Sequence, residues 1–195
     1  NGNFVTIEII TWPSEKTEFT GKVIEILGDI QDPLNDVKRV LVNQKIPNEW
    51  NSKVEKETKV FPEKVSEKDW QGRKDLRHLS FVTIDGATAK DFDDAIFVET
   101  TKDGFHLMVA IADVSHYVKI GSAIDSEAYL RGTSVYFPNF VVPMLPEVLS
   151  NNLCSLMPHV PRLSMVADMK ISFSGELESA HFYESVILSQ ARITY

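Results

Sequence analysis

The sequence predicts an α+β fold, in which a piece of a β-barrel precedes a mixed domain of strands and helices. Two observations predict it. Residues 4–10 and 21–28 are rich in β-branched side chains, as strands are. From about residue 79 onward, short apolar runs typical of strands alternate with short runs typical of helices.

The β-rich start contains two predicted strands, separated by a polar stretch that includes the turn residues Pro13 and Ser14. Two strands alone bury too little apolar surface to form a stable domain. We therefore expect residues 1–45 to be the C-terminal part of a barrel whose other strands lie outside this sequence.

Residues 46–78 are expected to form a helical, locally basic connector. Pro47 and the two polar residues after it are typical of a helix start. Apolar residues then recur at roughly helical spacing: Val54, Phe61 and Val65. Over residues 50–79, eight Lys and Arg stand against six Asp and Glu. This balance is typical of a solvated helix face, and a nucleic-acid contact is the alternative.

The mixed domain is expected to span residues 79–195. Strands are predicted at residues 81–84, 96–98, 107–112 and 165–171, and helices at 124–130 and 146–151. The second of these helices would begin at Pro146, a position where a helix tolerates proline.

Composition limits the classes of function. The formal net charge of −8 argues against a phosphate-binding surface, unless the acidic residues are clustered around a cation that reverses the local charge. The one cysteine, Cys154, cannot form an internal disulfide, which indicates a reducing compartment, and we expect it to be a small buried side chain. Neither a signal peptide nor an apolar run of membrane-spanning length is expected.

Four carboxylates lie within ten residues: Asp85, Asp91, Asp93 and Asp94. The runs on either side, residues 82–84 and 95–98, are apolar and predicted to be buried. Carboxylates that are forced together repel one another unless a cation neutralises them. Oxygen ligands suit Mg²⁺, and such an ion can activate water and orient a phosphodiester. The pattern therefore favours a magnesium site.

Other interpretations of the acidic run are weaker. An acidic surface loop is the simplest alternative, although the buried flanks disfavour it. A calcium loop of the EF-hand type needs glycine at its sixth position, where counting from Asp91 gives Ile96. An aspartyl-phosphate site would place Asp91 at the end of an apolar strand, whereas polar residues precede it.

Several motifs resemble the ribonuclease R / ribonuclease II family, in its order and spacing, from about residue 73 to residue 195. They are DLR at 75–77, TIDG at 83–86, AKDFDDA at 89–95, IADVSHYV at 111–118, RGTSVYFP at 131–138, PMLPE at 143–147 and LSNNLCSL at 149–156. The resemblance implies that residues 79–195 are the N-terminal part of a ribonuclease catalytic domain. It also implies that residues 1–45 end a cold-shock OB barrel.

The resemblance implies a Mg²⁺-dependent, processive 3′→5′ exoribonuclease that releases nucleoside 5′-monophosphates. The expected substrate is single-stranded RNA with a free 3′ end, and the expected enzyme is a cytoplasmic monomer active in RNA turnover and quality control. The family's metal positions fall on Asp85, Asp91, Asp93 and Asp94, with Asp93 expected to be the most sensitive catalytic residue. Tyr136 matches a residue that stacks on RNA bases, and Tyr195 is a second RNA-binding candidate.

Three residues near these motifs are not assigned to the site. Phe137 is expected in the core, and Asp113 and His116 are expected to be hydrogen-bonded structural residues rather than an acid–base pair.

The family's distant arginine and acidic residue, and its C-terminal RNA-binding barrel, have no counterpart in these 195 residues. We therefore expect the chain to be a piece of a longer protein, whose catalytic power would depend on the missing arginine. A non-catalytic RNA-binding module with the same fold is the alternative function, and a phosphohydrolase acting on small molecules is another. All four aspartates are present, which favours the catalytic interpretation.

Overall fold

A computed structural model describes residues 2–138 and 140–195. The chain divides into two compact units. The first contains the chain up to Trp50 together with Val135–Val142, and the second contains Asn51–Ser134 together with Pro143–Tyr195.

The first unit is built on an antiparallel ribbon of strands β1 (Asn3–Thr11) and β2 (Thr20–Asp29), as the β-branched runs predicted. Helix α1 (Pro33–Asn43) follows, although the sequence analysis predicted no helix there. Its start is nevertheless well marked: the Asp32 carboxylate accepts a hydrogen bond from the Leu34 N–H at 3.0 Å, and Pro33 stands in the first turn.

The second unit is organised around a seven-stranded sheet with the order β11-β4-β5-β6-β9-β10-β3. Its inner pairs are antiparallel, whereas β11 and β3 pair in parallel with β4 and β10 at the two edges. The strands are β3 (Lys74–Asp75), β4 (Val82–Asp85), β5 (Asp94–Thr100), β6 (Gly104–Ala112), β9 (Pro161–Ser172), β10 (Leu177–Leu188) and β11 (Ala191–Thr194). The hairpin β7 (Val135–Phe137) and β8 (Phe140–Val142) belongs to the first unit.

Helices of the second unit are short. They are α2 (Ser52–Thr58), α3 (Val114–Tyr117) and α4 (Ala123–Arg131), with a 3₁₀ turn at Glu67–Trp70 and a π-helical segment at Leu149–Leu153. The core beside the sheet consists of fully buried apolar side chains: Phe81, Leu149, Leu153, Leu156, Leu163 and Ile187. Burying each side chain of this size contributes roughly 1.5–3 kcal/mol.

Two helix predictions need correction. The connector helix α2 begins at Ser52 and ends at Thr58, so Phe61 and Val65 lie outside it despite their spacing. Asn51 sets its start, because its side chain accepts from the backbone N–H groups of Lys53 and Val54. The helix predicted at 146–151 is instead a π-helical segment that runs to Leu153, where the Cys154 N–H bonds to the Leu149 carbonyl at 2.8 Å.

Cys154 is buried, as predicted, and burial raises the pKa of its thiol to about 12. No helix in the described ranges 2–138 and 140–195 is long and apolar enough to cross a membrane.

Candidate active site

The acidic run lies at one end of two neighbouring strands. Strand β4 ends at Asp85 and its antiparallel neighbour β5 begins at Asp94, with Val82 paired to Ile96. The chain between them, which we call the acidic loop (residues 85–94), opens with a turn in which the Ala89 N–H bonds to the Gly86 carbonyl at 3.0 Å. The sheet therefore places the four predicted metal residues in one loop, at the end of two inner strands.

Buried contacts hold the middle of this loop. Phe92, which lies between Asp91 and Asp93 in the sequence, is buried. The Phe92 N–H donates to Ser155 Oγ at 3.1 Å, and its carbonyl accepts from the Leu156 N–H at 2.8 Å. Next along the chain, the Asp93 carbonyl accepts from the Ala112 N–H at 2.9 Å. The backbone beside Asp91 and Asp93 is thus fixed although Asp93 itself is exposed.

Arg192 on β11 holds the other side of the loop. Its guanidinium donates to the carbonyl of Gly86 at 2.8 Å and to that of Ala87, and it lies 5.1 Å from the centre of the Phe92 ring. The same positive charge partly offsets the forces that raise the pKa of Asp85.

The carboxylates of the loop repel one another. Burial first, and then the charges of Asp94 and Asp91, raise the pKa of Asp85. Partial desolvation, followed by the charges of Asp91, Asp94 and Asp85, raises the pKa of Asp93. Asp85 Oδ2 is also buried with no hydrogen-bond partner. A cation would relieve both the repulsion and the unpaired oxygen, so these residues fit the divalent metal that the resemblance implies.

Convergence of the carboxylates on one ion stays a prediction. Across residues 2–138 and 140–195, His, Cys, Asp and Glu side chains do not come together in threes or more as a set of metal ligands. The charges of the four aspartates nevertheless act on one another, as the raised pKa values of Asp85 and Asp93 show.

The two tyrosines predicted to bind RNA lie in different units. Tyr195 directly follows β11, where Thr194 is paired with Asp85, so it leaves the sheet beside the start of the acidic loop. Its side chain is 95% exposed. Tyr136 lies on β7 in the first unit and is 62% exposed. Phe137 is half-buried, with its ring centre 6.3 Å from that of Phe140. The RNA contacts of both tyrosines stay predictions.

Asp113 and His116 are hydrogen-bonded, as expected, and their purely structural role stays a prediction. The Asp113 carboxylate accepts from Arg73 Nη2 and from Ser115 Oγ, both at 2.6 Å, and it caps α3. His116 Nε2 lies 3.4 Å from an Asp69 oxygen. Burial raises the pKa of Asp113, but these hydrogen bonds and the charge of Arg73 leave it lowered overall.

Comparison with known proteins identifies the family. The sequence pattern of the RNB domain matches residues 73–195, and that of the cold shock domain matches residues 1–51. The chain belongs to the RNB-domain family. The ribonuclease resemblance seen in the motifs is therefore confirmed, as is the α+β fold in which a cold-shock segment precedes an RNB domain.

Relatives of this RNB-domain chain are similar over its whole length. Ribonuclease R of Vibrio parahaemolyticus is 53% identical over 195 residues, and Ribonuclease R of Escherichia coli is 48% identical. The chain spans 23% and 24% of these two proteins, about a quarter of their length. A structure of Mycoplasma genitalium RNase R in complex with double-stranded RNA matches all of the chain and 34% of the solved chain, with a TM-score of 0.92 and 36% identity.

Sequence reasoning missed the residues that hold the acidic loop in place. Ser155 lies inside the LSNNLCSL motif, and Arg192 lies near the end of the chain. Nothing in the local pattern connects either of them to residues 85–94, because both contacts arise only when distant parts of the chain come together in the fold.

Proposed function

We propose that the intact protein is a Mg²⁺-dependent exoribonuclease that removes nucleotides processively from the 3′ end of single-stranded RNA and releases nucleoside 5′-monophosphates. One observation carries the proposal: a chain of the RNB-domain family presents four aspartates on one anchored loop between the neighbouring strands β4 and β5. Monomeric, cytoplasmic action in RNA turnover belongs to the same proposal. We also propose the domain boundaries, with an OB segment at residues 1–45, a connector at 46–78 and the catalytic part at 79–195.

In this proposal Asp85, Asp91, Asp93 and Asp94 hold the metal. When bound, the ion would supply a positive charge that activates water and stabilises the leaving oxygen. The protein's own contribution is to keep these carboxylates close in spite of their repulsion, through the backbone hydrogen bonds of the loop. Arg192 fixes the turn after Asp85 and moderates the local negative charge.

The two exposed rings of Tyr136 and Tyr195 support binding of RNA irrespective of its base sequence. Stacking on a base is sequence-tolerant, because every base offers a π-face. Tyr195 follows the edge strand β11, next to the start of the acidic loop. It would stack on a base near the bond to be cleaved. Tyr136 would hold a second base, as the match to the family's motif implies. The Mycoplasma relative was solved with RNA, which supports RNA as the substrate class.

Asp93→Asn in the full-length protein tests the proposal. The change removes one charge from the loop while keeping the shape of the side chain, so we expect hydrolysis to be abolished and RNA affinity to stay near normal. Rate and RNA binding would be measured side by side. Asp103→Asn is the matched control, because this exposed aspartate lies in the turn between β5 and β6. Near-normal turnover by the Asp93 variant would remove the metal assignment.

A further inference from the structure

A short buried segment, residues 155–156, holds the acidic loop in the second unit. Ser155 Oγ donates to the Lys90 carbonyl at 2.8 Å and accepts from the Phe92 N–H at 3.1 Å. The Leu156 N–H donates to the Phe92 carbonyl at 2.8 Å. Ser155 and Leu156 are both 0% exposed. One hydroxyl therefore bridges the residues on either side of Asp91, and a second bond fixes the residue before Asp93.

A buried arginine holds this segment in turn. Arg162 on β9 is 4% exposed, and its Nε donates to the Ser155 carbonyl at 2.8 Å. Its other nitrogens donate to Asn152 Oδ1 at 2.9 Å and to the Pro161 carbonyl at 3.0 Å. These acceptors are uncharged. Burying a guanidinium that is paired only with neutral oxygens costs desolvation energy. A contribution to stability alone therefore does not explain an arginine at this position.

The need for such a support follows from the charges in the loop. Four carboxylates that repel one another will spread apart unless the backbone prevents it. Metal affinity in turn depends on ligand positions to within a few tenths of an ångström. The hydrogen bonds of Ser155 are to the backbone of the loop, and Ser155 does not bond to the carboxylate oxygens through them.

We propose that Ser155, held by Arg162, is a positioning residue for the metal-binding aspartates. By fixing the backbone on both sides of Asp91, it sets the separation of Asp91 and Asp93 and so the affinity of the site for a divalent cation. The inference rests on the proposed function and deepens it. A purely structural Ser155 would instead contribute to stability and leave the affinity for a divalent cation unchanged.

The chain offers a matched control. Ser185 on β10 is also 0% exposed, and its Oγ lies 2.7 Å from Ser164 Oγ, joining β10 to β9. Its hydroxyl contacts the hydroxyl and the carbonyl of Ser164 on β9, outside the acidic loop. Ser155→Ala and Ser185→Ala each remove one buried hydroxyl with its hydrogen bonds, so their effects on stability should be similar.

The test uses the full-length protein without RNA and measures Mn²⁺ binding by electron paramagnetic resonance, beside the free energy of unfolding. We expect Ser155→Ala to weaken Mn²⁺ binding about 10-fold, the lower end for loss of a residue that supports metal ligands. Ser185→Ala should bind Mn²⁺ like the wild type. The Mg²⁺ concentration that gives half-maximal hydrolysis should rise by the same factor for Ser155→Ala alone, with KM for RNA unchanged.

Equal Mn²⁺ affinity of the two alanine variants would overturn the positioning role while leaving the proposed function intact. A wild-type protein that binds no Mn²⁺ would overturn both. If Ser155→Ala does not fold, Ser155→Cys decides, because a thiol is of similar size and forms weaker hydrogen bonds. The thiol should give an intermediate affinity, and an affinity equal to that of the wild type would count against the inference.

Discussion

At the scale of residues, hydrogen bonds connect charged side chains across the sheet, away from the acidic loop. His106 Nδ1 lies 3.0 Å from a Glu99 oxygen, and its Nε2 lies 2.7 Å from Asp168 Oδ1. Tyr183 donates its hydroxyl to Asp168 Oδ2 at 2.6 Å, and Lys74 donates to that hydroxyl at 3.1 Å. The five residues stand on β5, β6, β9, β10 and β3, so this polar network spans five adjacent strands.

The network makes stability depend on pH through His106. Its hydrogen bond to Glu99, and then that to Asp168, raise the pKa of His106 in spite of desolvation. A raised pKa in the folded state stabilises the protein fully below the unfolded value of about 6.5, and this contribution is lost as the pH rises through the folded value. We expect the stability advantage of the wild type over His106→Asn to be largest near pH 5.5 and to shrink above neutrality.

Urea unfolding of both proteins between pH 5.5 and pH 9 would measure this advantage. His159→Asn, a change at an exposed histidine outside this network, is the control for the loss of a histidine side chain. An advantage that grows as the pH rises would contradict the assignment of a raised pKa to His106.

Tyr136 is the residue at which a binding role and a packing role are easiest to separate. A base stack is worth ~1–3 kcal/mol, and its energy resides in the ring. Tyr136→Ala in the full-length protein should therefore slow hydrolysis or change the length of the final product, and Tyr136→Phe should do much less. Melting temperature and product length would be measured for both. An alanine variant that melts early but digests RNA to the usual end product would place Tyr136 in a structural role.

At the scale of elements, the sequence predicted the strands and loops whose own residues have a clear apolar or acidic pattern. The strands around the acidic loop are short apolar runs, and the loop itself is a dense cluster of one residue type. Strand β10 was missed because its first half, from Leu177 to Tyr183, is largely exposed and shows little apolar alternation. Helix α1 was missed although Asp32 and Pro33 mark its start. The supports at Ser155 and Arg192 depend on partners 63 to 106 residues away, which one sequence does not reveal.

One carboxylate of α2 bonds to the start of α4. Glu57 accepts from the backbone N–H groups of Ala123 at 2.8 Å and Ile124 at 3.0 Å, at the start of α4. A carboxylate there satisfies free donors and complements the helix dipole. Glu57→Ala should lower the free energy of unfolding by about 1–2 kcal/mol, measured in urea. Glu55→Ala, on the exposed side of the same helix, should change it far less.

At the scale of the whole molecule, the proposed exonuclease must tell an RNA end from an RNA interior. In the proposed mechanism, bases stacked beside the acidic loop would hold the terminal nucleotides, and the substrate would need a free 3′ hydroxyl end. We expect the full-length enzyme to digest linear single-stranded RNA and to leave a circular RNA of the same sequence intact, with a 3′-phosphorylated RNA also resistant. Gel analysis of the products would show this, and cleavage within the circle would indicate an endonuclease.

The parallel pairing of β11 with β4 has a consequence for how the protein is made. Strand β4 is complete by residue 85, but its partner β11 is not synthesised until residues 191–194, more than 100 residues later. Arg192, which fixes the turn after Asp85, arrives with that partner. Contacts between such distant parts of a chain form late, because the long intervening loop must first be ordered. During translation, the acidic loop can therefore reach its final conformation, held by Arg192, only after residues 191–194 have been made, more than 100 residues after Asp85.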